Sequence, residues 1–267
     1  MFSVNGRPVV VERFPDKTPR LNIKVEDRSV ILEWIYEEDE EMLLYFITRH
    51  LRERFGVNEL ILRMPYLPHA RMDRVKHQDE VFTLKYFCDF INDLHFDRVL
   101  VRDAHSNVSL GLLNNVIAEP IAENIIGLIG RLLDKKSDIV FYPDEGSCKR
   151  YSEMISFPCA FGLKERDWQT GQILNLSVQG VIPPKPFKVL IIDDISSYGG
   201  TFLHAARKLK ELGATQIYLY VTHCEHSILS GELIDSGLLE KIYTTESIFT
   251  ADHRMIEVIG GSGNEKN

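Results

Sequence analysis

Apolar and polar residues follow two alternating periods along this chain. Short apolar runs rich in β-branched residues and leucine are typical of buried strands. They occupy residues 59–64, 98–102, 138–142, 189–192 and 216–222. Apolar residues that recur every three or four positions are typical of helices packed by one face. They occupy residues 41–55, 83–94, 120–133 and 202–212. The pattern predicts strands and helices in turn.

This alternation predicts an α/β fold in which parallel sheets carry helices on both faces. A boundary near residues 118–120 divides the chain into two comparable α/β domains, 1–118 and 119–259, and residues 260–267 are expected to form a disordered tail. Functional loops of such sheets lie at the carboxyl ends of the strands. Polar segments do begin at those ends here, so the chemistry is expected there.

The charge balance narrows the possible partners. The 267 residues include 39 acidic and 31 basic side chains, a net charge of −8, which argues against a nucleic acid or an acidic membrane as the main partner. No uncharged stretch reaches the roughly 18 residues that could span a bilayer, so a cytoplasmic protein is expected. Cys88, Cys148, Cys159 and Cys224 lack metal-ligand spacing and are expected to be buried free thiols.

The segment VLIIDDISSYGGT, residues 189–201, carries the strongest chemical signal. An apolar strand runs into two carboxylates and then into a Ser/Gly loop that opens a helix. The loop residues 197–201 would present backbone amides at a helix N-terminus, which favours a phosphate group. Asp193 and Asp194 could accept hydrogen bonds from sugar hydroxyls or bind Mg²⁺. The segment predicts a site for a phosphorylated ribose.

Two further strand ends carry candidate metal ligands. Asp103 and His105 flank Ala104, and alternation along an extended backbone would point both side chains the same way, toward a shared metal or phosphate. The alternative is a capping aspartate and a surface histidine. In YPDEGSCKR, Asp144 and Gly146 are expected to form a turn ahead of a helix, which offers a second place for an oxyanion.

Two clusters of cationic residues complete the candidate chemistry. HARMDR supplies Arg71 and Arg74 with Asp73 between them, and nucleotide phosphates are plausible partners. Lys164 and Arg166, in GLKERDWQTG, end a strand and begin a polar excursion suited to a mobile charge clamp. Solvated surface charges are the alternative in both cases.

Together, MPYLPHARMDR, RDAHS, YPDEGSCKR, LKER and DDISSYGGT resemble the ribose-phosphate diphosphokinases, also called phosphoribosyl pyrophosphate synthetases. The likeness runs in order from about residue 60 to residue 258. The resemblance implies two domains of the type I phosphoribosyltransferase fold, an N-terminal ATP-binding domain and a C-terminal ribose-phosphate domain. It also implies ATP as co-substrate, Mg²⁺ as cofactor, and a homo-oligomer in which a neighbouring subunit contributes a hairpin with Phe14 and Asp16.

By the same resemblance, the anomeric 1-hydroxyl of the sugar attacks the β-phosphorus of ATP and AMP leaves. The catalytic residues would be Lys164 and Arg166, and the metal ligands Asp103, His105 and Asp144. The ATP-binding residues would be Phe14, Asp16, Arg71, Asp73, Arg74 and His105. The ribose-phosphate site would comprise Asp193, Asp194, Ser197, Tyr198, Gly199, Gly200 and Thr201.

The chain departs from the family pattern at the end of the site that would bind the 5′-phosphate. Ser197 stands where the family has an acidic residue, and Tyr198 where it has threonine. A neutral, roomier loop would tolerate a phosphodiester, so the acceptor is expected to be either ribose 5-phosphate or ADP-ribose. A phosphoribosyltransferase and a non-catalytic regulatory homologue remain as alternatives of other classes.

Overall fold

The computed structural model describes residues 1–166 and 173–260, in two compact units: unit 1, Met1–Pro120, and unit 2, Ile121–Asn267. Residues 261–267 of the predicted tail lie outside the described part of the chain. The division into units says nothing about what each unit binds, so the assignment of ATP to the first and of ribose phosphate to the second stays a prediction.

Unit 1 is built on a six-stranded sheet of order β2-β1-β5-β6-β7-β8, in which β5 to β8 are parallel and β1 and β2 are antiparallel. Its strands are β1 (Phe2–Val4), β2 (Arg7–Pro8), β5 (Ser29–Trp34), β6 (Glu59–Met64), β7 (Arg98–Arg102) and β8 (Val116–Glu119). Its helices are α1 (Glu41–Phe55), α2 (Thr83–Asp93) and α3 (Asn107–Leu112). A separate hairpin pairs β3 (Val11–Arg13) with β4 (Pro19–Leu21).

One face of the unit 1 sheet is apolar. Val30, Leu32 and Trp34 alternate along β5 with more exposed residues, and they pack with the buried sides of α1 and α2 in one core. Alternation of this kind is what a strand with a single buried face requires.

The opposite face of the unit 1 sheet carries an ionic network, defined by Glu33, Arg63, Arg102 and Glu119. Arg63 donates to Glu119 over 2.6 Å, and Arg102 donates to the same carboxylate over 3.1 Å. Arg63 also pairs with Glu33, so the network crosses four adjacent strands. Burial raises the pKa of Glu119, but its two arginine partners outweigh burial and lower that pKa below the ordinary 4.5.

Unit 2 is built on a seven-stranded sheet of order β11-β10-β9-β12-β13-β14-β15, in which only β11 is antiparallel to its neighbour among the described strands. Its strands are β9 (Ile139–Tyr142), β10 (Cys159–Arg166), β11 (Ile173–Gly180), β12 (Phe187–Ser196), β13 (Ala214–Cys224), β14 (Lys241–Thr244) and β15 (Ile256–Val258). Its helices are α4 (Ala122–Leu132), α5 (Glu145–Tyr151), α6 (Gly200–Leu212), α7 (Glu232–Asp235) and the 3₁₀ turn His226–Ser230.

Both faces of the unit 2 sheet are apolar. On β12, Val189 and Ile191 pack into a core with α6 and α7, whereas Leu190 and Ile192 pack into a second core with α4 and α5. A strand buried on both sides can have no polar position over its central residues, which explains the unbroken apolar run at 189–192.

The predicted fold class, an α/β protein with parallel sheets flanked by helices, is confirmed. The two-faced arrangement of helices holds in unit 2, whereas in unit 1 the helices contribute to a core on one face. Cys88 and Cys224 are buried as expected, but Cys148 and Cys159 are half-buried. No helix within residues 1–166 and 173–260 is both long and apolar enough to cross a membrane.

Candidate functional site

The loop after β12 has the strand, loop and helix order expected from the sequence, with one correction. Strand β12 continues through Ser196, whose carbonyl oxygen accepts from the backbone N–H of Glu225 over 2.8 Å. Asp193 and Asp194 therefore lie within the strand and not after it, because pairing with β13 extends the strand past its apolar part. The loop is short, and α6 begins at Gly200.

Gly199 is the N-cap of α6 and has a φ of 82°, a conformation that side chains with a Cβ rarely adopt. The first backbone hydrogen bond of the helix runs from the Leu203 N–H to the Gly199 carbonyl over 2.9 Å. The amides of Gly200, Thr201 and Phe202 precede that bond, so they lack a partner in the preceding turn of the helix. This helix end is thus suited to an anion.

Three carboxylates influence one another beside that loop. Asp193 accepts from the backbone N–H of Asp194 over 3.1 Å, and the buried Asp194 lies 3.2 Å from Nη1 of Arg150. Burial, and then the charges of Asp194 and Asp144, raise the pKa of Asp193 well above its ordinary value. A cation or a set of hydroxyl donors placed here would stabilise the ionised form of Asp193.

Asp144 occupies the N-cap of α5. Its Oδ1 accepts from the backbone N–H of Ser147 over 3.1 Å, and the Asp144 N–H donates to Ser147 Oγ over 3.4 Å, which completes a capping box. Gly146 consequently lies in the helix, and the expectation that it forms a turn with Asp144 is wrong. The capping residue sits at a helix N-terminus, near the carboxylates of β12.

The loops after β6 and β7 meet in unit 1 through Asp73. Its Oδ1 accepts from Arg74 Nε over 3.0 Å, and Ser106, in the loop after β7, lies close enough to lower the pKa of Asp73. Burial raises the pKa of Asp73, but Arg74, Ser106 and the nearby His105 together lower it overall. The side chain of Asp73 is 9% exposed and that of Arg74 is 74% exposed. The two segments predicted to bind ATP and metal are therefore neighbours.

The geometry assumed for Asp103 and His105 is wrong. Strand β7 ends at Arg102, and Asp103 has a φ of 43°, so the backbone is not extended there and simple alternation does not align the two side chains. His105 is half-buried and close enough to Asp73 to affect its pKa. Arg71 is exposed in the turn that the Met72 N–H closes onto the His69 carbonyl over 2.9 Å.

The hairpin of β3 and β4 carries Phe14 and Asp16 in its turn. Asp16 Oδ1 accepts from the Thr18 hydroxyl over 2.6 Å and from the Thr18 N–H over 3.0 Å, and these bonds lower the pKa of Asp16. Phe14 is 50% exposed. Asp16 thus shapes the turn, while the ring of Phe14 is accessible to another molecule.

The predicted catalytic pair is only partly described. Strand β10 does end at Arg166, as expected, and Lys164 is paired with Leu176 of β11. The side chains of Lys164 and Arg166, and residues 167–172 of the predicted charge clamp, lie outside the described part of the chain. Their catalytic role stays a prediction.

Two contacts at these sites were not predicted. Arg150 pairs with Asp194 across 44 residues of sequence, and Ser106 lies close enough to Asp73, 33 residues away, to lower its pKa. The basic charge of Arg150 on a helix after a strand end was a usable signal, whereas nothing local singles out Ser106.

The donor atoms at these strand ends are compatible with metal binding. Carboxylate oxygens such as those of Asp103 and Asp144 are the ligands that Mg²⁺ prefers, so the donor chemistry fits. Within residues 1–166 and 173–260, however, no three His, Cys, Asp or Glu side chains converge as a metal site.

Comparison with known proteins agrees with the motifs. Ribose-phosphate pyrophosphokinase of Pyrococcus abyssi is 28% identical over 228 residues, covering 80% of this chain and 75% of that protein. Ribose-phosphate pyrophosphokinase 1 of Streptococcus pyogenes is 26% identical over 269 residues, covering 93% and 80%. A scan against models of protein families found no match.

The fold has a solved counterpart. Phosphoribosylpyrophosphate synthetase from Mycobacterium smegmatis matches with a TM-score of 0.76 over 94% of this chain and 85% of that chain, at 19% identity. The structural match establishes the fold, and the curated relatives confirm the predicted family and, at the level of that family, a pyrophosphokinase-type enzyme. The predicted resemblance to the ribose-phosphate pyrophosphokinase family is therefore confirmed.

Proposed function

We propose that the protein transfers the β,γ-pyrophosphoryl group of ATP to the anomeric 1-hydroxyl of a 5-phosphorylated ribose and releases AMP. The observation that carries this proposal is the loop after β12, where two carboxylates lie beside the N-terminal amides of α6. One short segment thereby offers acceptors for sugar hydroxyls and donors for a phosphate, the two ends of a ribose phosphate.

On the acceptor side, residues 197–201 would bind the 5′-phosphate, with Ser197, Tyr198, Gly199, Gly200 and Thr201 contributing backbone and hydroxyl donors. Asp193 and Asp194 would accept from the ribose hydroxyls. The raised pKa of Asp193 supports this role, because a carboxylate close to two others and next to the buried Asp194 gains from any donor that binds to it.

On the nucleotide side, Arg71 and Arg74 would bind the ATP phosphates, with Asp73 and His105 fixing the loops that carry them. The Asp73–Arg74 ion pair and the proximity of Asp73 to Ser106 and His105 support this assignment, because they bring residues of both loops together. Phe14 would stack on adenine with Asp16 beside it, and the hairpin would come from a neighbouring subunit of a homo-oligomer.

Asp103, His105 and Asp144 would bind Mg²⁺, which when bound neutralises phosphate charge during the transfer. The chain's own contribution is positioning of the two substrates and fixed charge around them.

Lys164 and Arg166 would stabilise the charge that develops on the transferred group. Lys164→Ala is expected to lower turnover about 10²- to 10³-fold, the usual cost of losing one preorganised charge partner, with little change in folding. Lys136→Ala, a change of an exposed lysine in unit 2, is the matched control. A near-normal rate for the Lys164 variant would remove this strand end from the mechanism.

The acceptor is proposed to be ribose 5-phosphate or ADP-ribose. The loop has the neutral Ser197 at the position that is acidic in the family pattern, and Tyr198 is 63% exposed next to it. An exposed aromatic ring could contact a group beyond the 5′-phosphate. This feature supports ADP-ribose as a second possible acceptor, whose product would be ADP-ribose pyrophosphate.

The test is to incubate the protein with Mg²⁺–ATP and either acceptor, and to follow AMP and the pyrophosphorylated sugar by chromatography with mass detection. AMP with ribose 5-phosphate supports phosphoribosyl pyrophosphate synthesis, and AMP only with ADP-ribose assigns the second acceptor. Absence of AMP with both would refute the proposal and favour a phosphoribosyltransferase or a non-catalytic homologue.

A further inference from the structure

The segment after β13 lies directly against the loop proposed to bind phosphate. We call residues 226–235, which comprise the 3₁₀ turn and α7, the backing segment. A Cβ atom at Gly231 would lie 1.9 Å from the carbonyl oxygen of Tyr198, whereas ordinary contacts of a Cβ are 3.4–4 Å. No side chain fits at position 231 unless Tyr198 or the backing segment moves.

Glycine is required at position 231 by the lack of room for a side chain and not by its backbone conformation. Its φ of −89° and ψ of 155° are extended values that any residue adopts. Substitution by alanine would therefore add no backbone strain of its own, and its whole effect would come from the contact with Tyr198.

The same segment touches the next residue of the loop. A Cβ at Gly199 would lie 2.6 Å from Cδ2 of Leu233. Two consecutive loop residues, Tyr198 and Gly199, thus rest on one surface, formed by Gly231 and Leu233.

The backing segment is anchored in the core. Ile228, Leu233 and Ile234 are buried in the same core as Phe202 and Leu203 of α6. The Gly231 N–H also donates to the Ile228 carbonyl over 3.1 Å. Tyr198, in contrast, has an exposed side chain, so an added methyl group at position 231 would displace the loop more easily than the segment.

We propose that Gly231 is a positioning residue for the phosphate-binding loop, acting through the Tyr198 carbonyl to set where the amides of residues 199–201 point. The inference rests on the proposed function in that it takes this loop as the acceptor's phosphate site. A side chain at position 231 would push the Tyr198 carbonyl away and misplace those amides by about 1 Å. A displacement of this size can lower the rate about 10²-fold.

The experiment compares Gly231→Ala with Gly130→Ala. Gly130 lies in α4, and no atom lies within 4 Å of the methyl group that alanine would add, so alanine is tolerated there. We expect Gly231→Ala to lower kcat/KM for the acceptor about 10²-fold through KM, with the KM for ATP unchanged. Amide hydrogen exchange of residues 197–201 should rise in the same variant, and Gly130→Ala should change none of these.

Hydrogen exchange and titration with inorganic phosphate separate this inference from the proposed function. If the wild type releases no AMP, the function fails, yet the variant's exchange and phosphate affinity still report on the loop. Wild-type acceptor KM, exchange and phosphate affinity in Gly231→Ala would overturn the inference. Should that variant not fold, Leu233→Val trims the neighbouring contact of the backing segment with Gly199, and an unchanged acceptor KM and loop exchange would overturn the positioning of the loop by this segment.

Discussion

The two units build their strand-end loops in different ways. In unit 1, charged and polar side chains bring the loops after β6 and β7 together, because Asp73 pairs with Arg74 and lies close to Ser106 and His105. In unit 2, backbone contacts position the loop after β12, namely the Ser196 carbonyl with Glu225 and the Tyr198 carbonyl with Gly231. The sheets differ likewise, since unit 1 has an ionic face where unit 2 has a second apolar core.

This difference suggests that the loops of the two units are suited to different ligand groups. Side chains with a charge can be long, mobile and exposed, which suits the flexible triphosphate of a nucleotide. Backbone amides fixed by close packing suit a compact phosphate at one defined place. Unit 1 should therefore respond most to changes of charge, and unit 2 to changes of shape.

The largest expected effect tests the ionic face of unit 1. Glu119→Gln removes the carboxylate shared by two largely buried arginines and is expected to destabilise the protein by about 3 kcal/mol, because both guanidinium charges lose a close partner. Thermal or denaturant unfolding measures it. Ala118→Ser, on the same strand but on an exposed position, is the control.

The effect of Glu119→Gln should depend on pH. The folded-state pKa of Glu119 lies below the ordinary 4.5, so the stabilisation is present above 4.5 and is lost as pH falls through the lowered pKa. The difference between wild type and variant should shrink over that acid range. A difference that grows on acidification would contradict the ionic interpretation.

The next effect tests the shape of the unit 2 loop. Gly199→Ala combines an unfavourable φ with the contact to Leu233, and kcat/KM for the acceptor is expected to fall about 10²-fold. Gly237→Ala is the control, because Gly237 also has a positive φ, of 67°, but no atom lies within 4 Å of its added methyl group. Equal kinetic losses in both variants would mean that strain and not the Leu233 contact is responsible.

The smallest effect tests the side-chain link of unit 1. Asp73→Asn keeps the shape but removes the charge that pairs with Arg74, and the KM for ATP is expected to rise about tenfold, the equivalent of one charged hydrogen bond. Steady-state kinetics at two salt concentrations measure it. The KM for the acceptor should not change. A rise in the acceptor KM alone would contradict the assignment of ATP to the unit 1 loops.

The fold was predictable where local pattern determines it. The apolar run 189–192 and the glycines after it were sufficient to predict a strand, a loop and α6. Strand β5 (Ser29–Trp34) was missed, because it is buried on one face only and carries the exposed Ile31. The end of β12 was misplaced for a related reason: its last polar residues are strand only through pairing with β13.

The site was predictable as a set of residues but not as a geometry. The polar segments at strand ends identified the loops, because function concentrates there in parallel sheets. The close approach of Gly231 to Tyr198 joins positions 33 residues apart, and the ion pair of Arg63 with Glu119 joins positions 56 residues apart. No local pattern encodes such contacts, since they depend on how strands and helices pack.

Hydrogen exchange of the wild-type protein with each substrate tests most directly whether the unit 1 loops bind the nucleotide and the unit 2 loop binds the sugar phosphate. We expect ribose 5-phosphate or ADP-ribose to protect the amides of residues 197–203, and Mg²⁺–ATP to protect residues 69–74 and 103–107. Protection of the unit 1 loops by the sugar phosphate, with residues 197–203 unchanged, would contradict it.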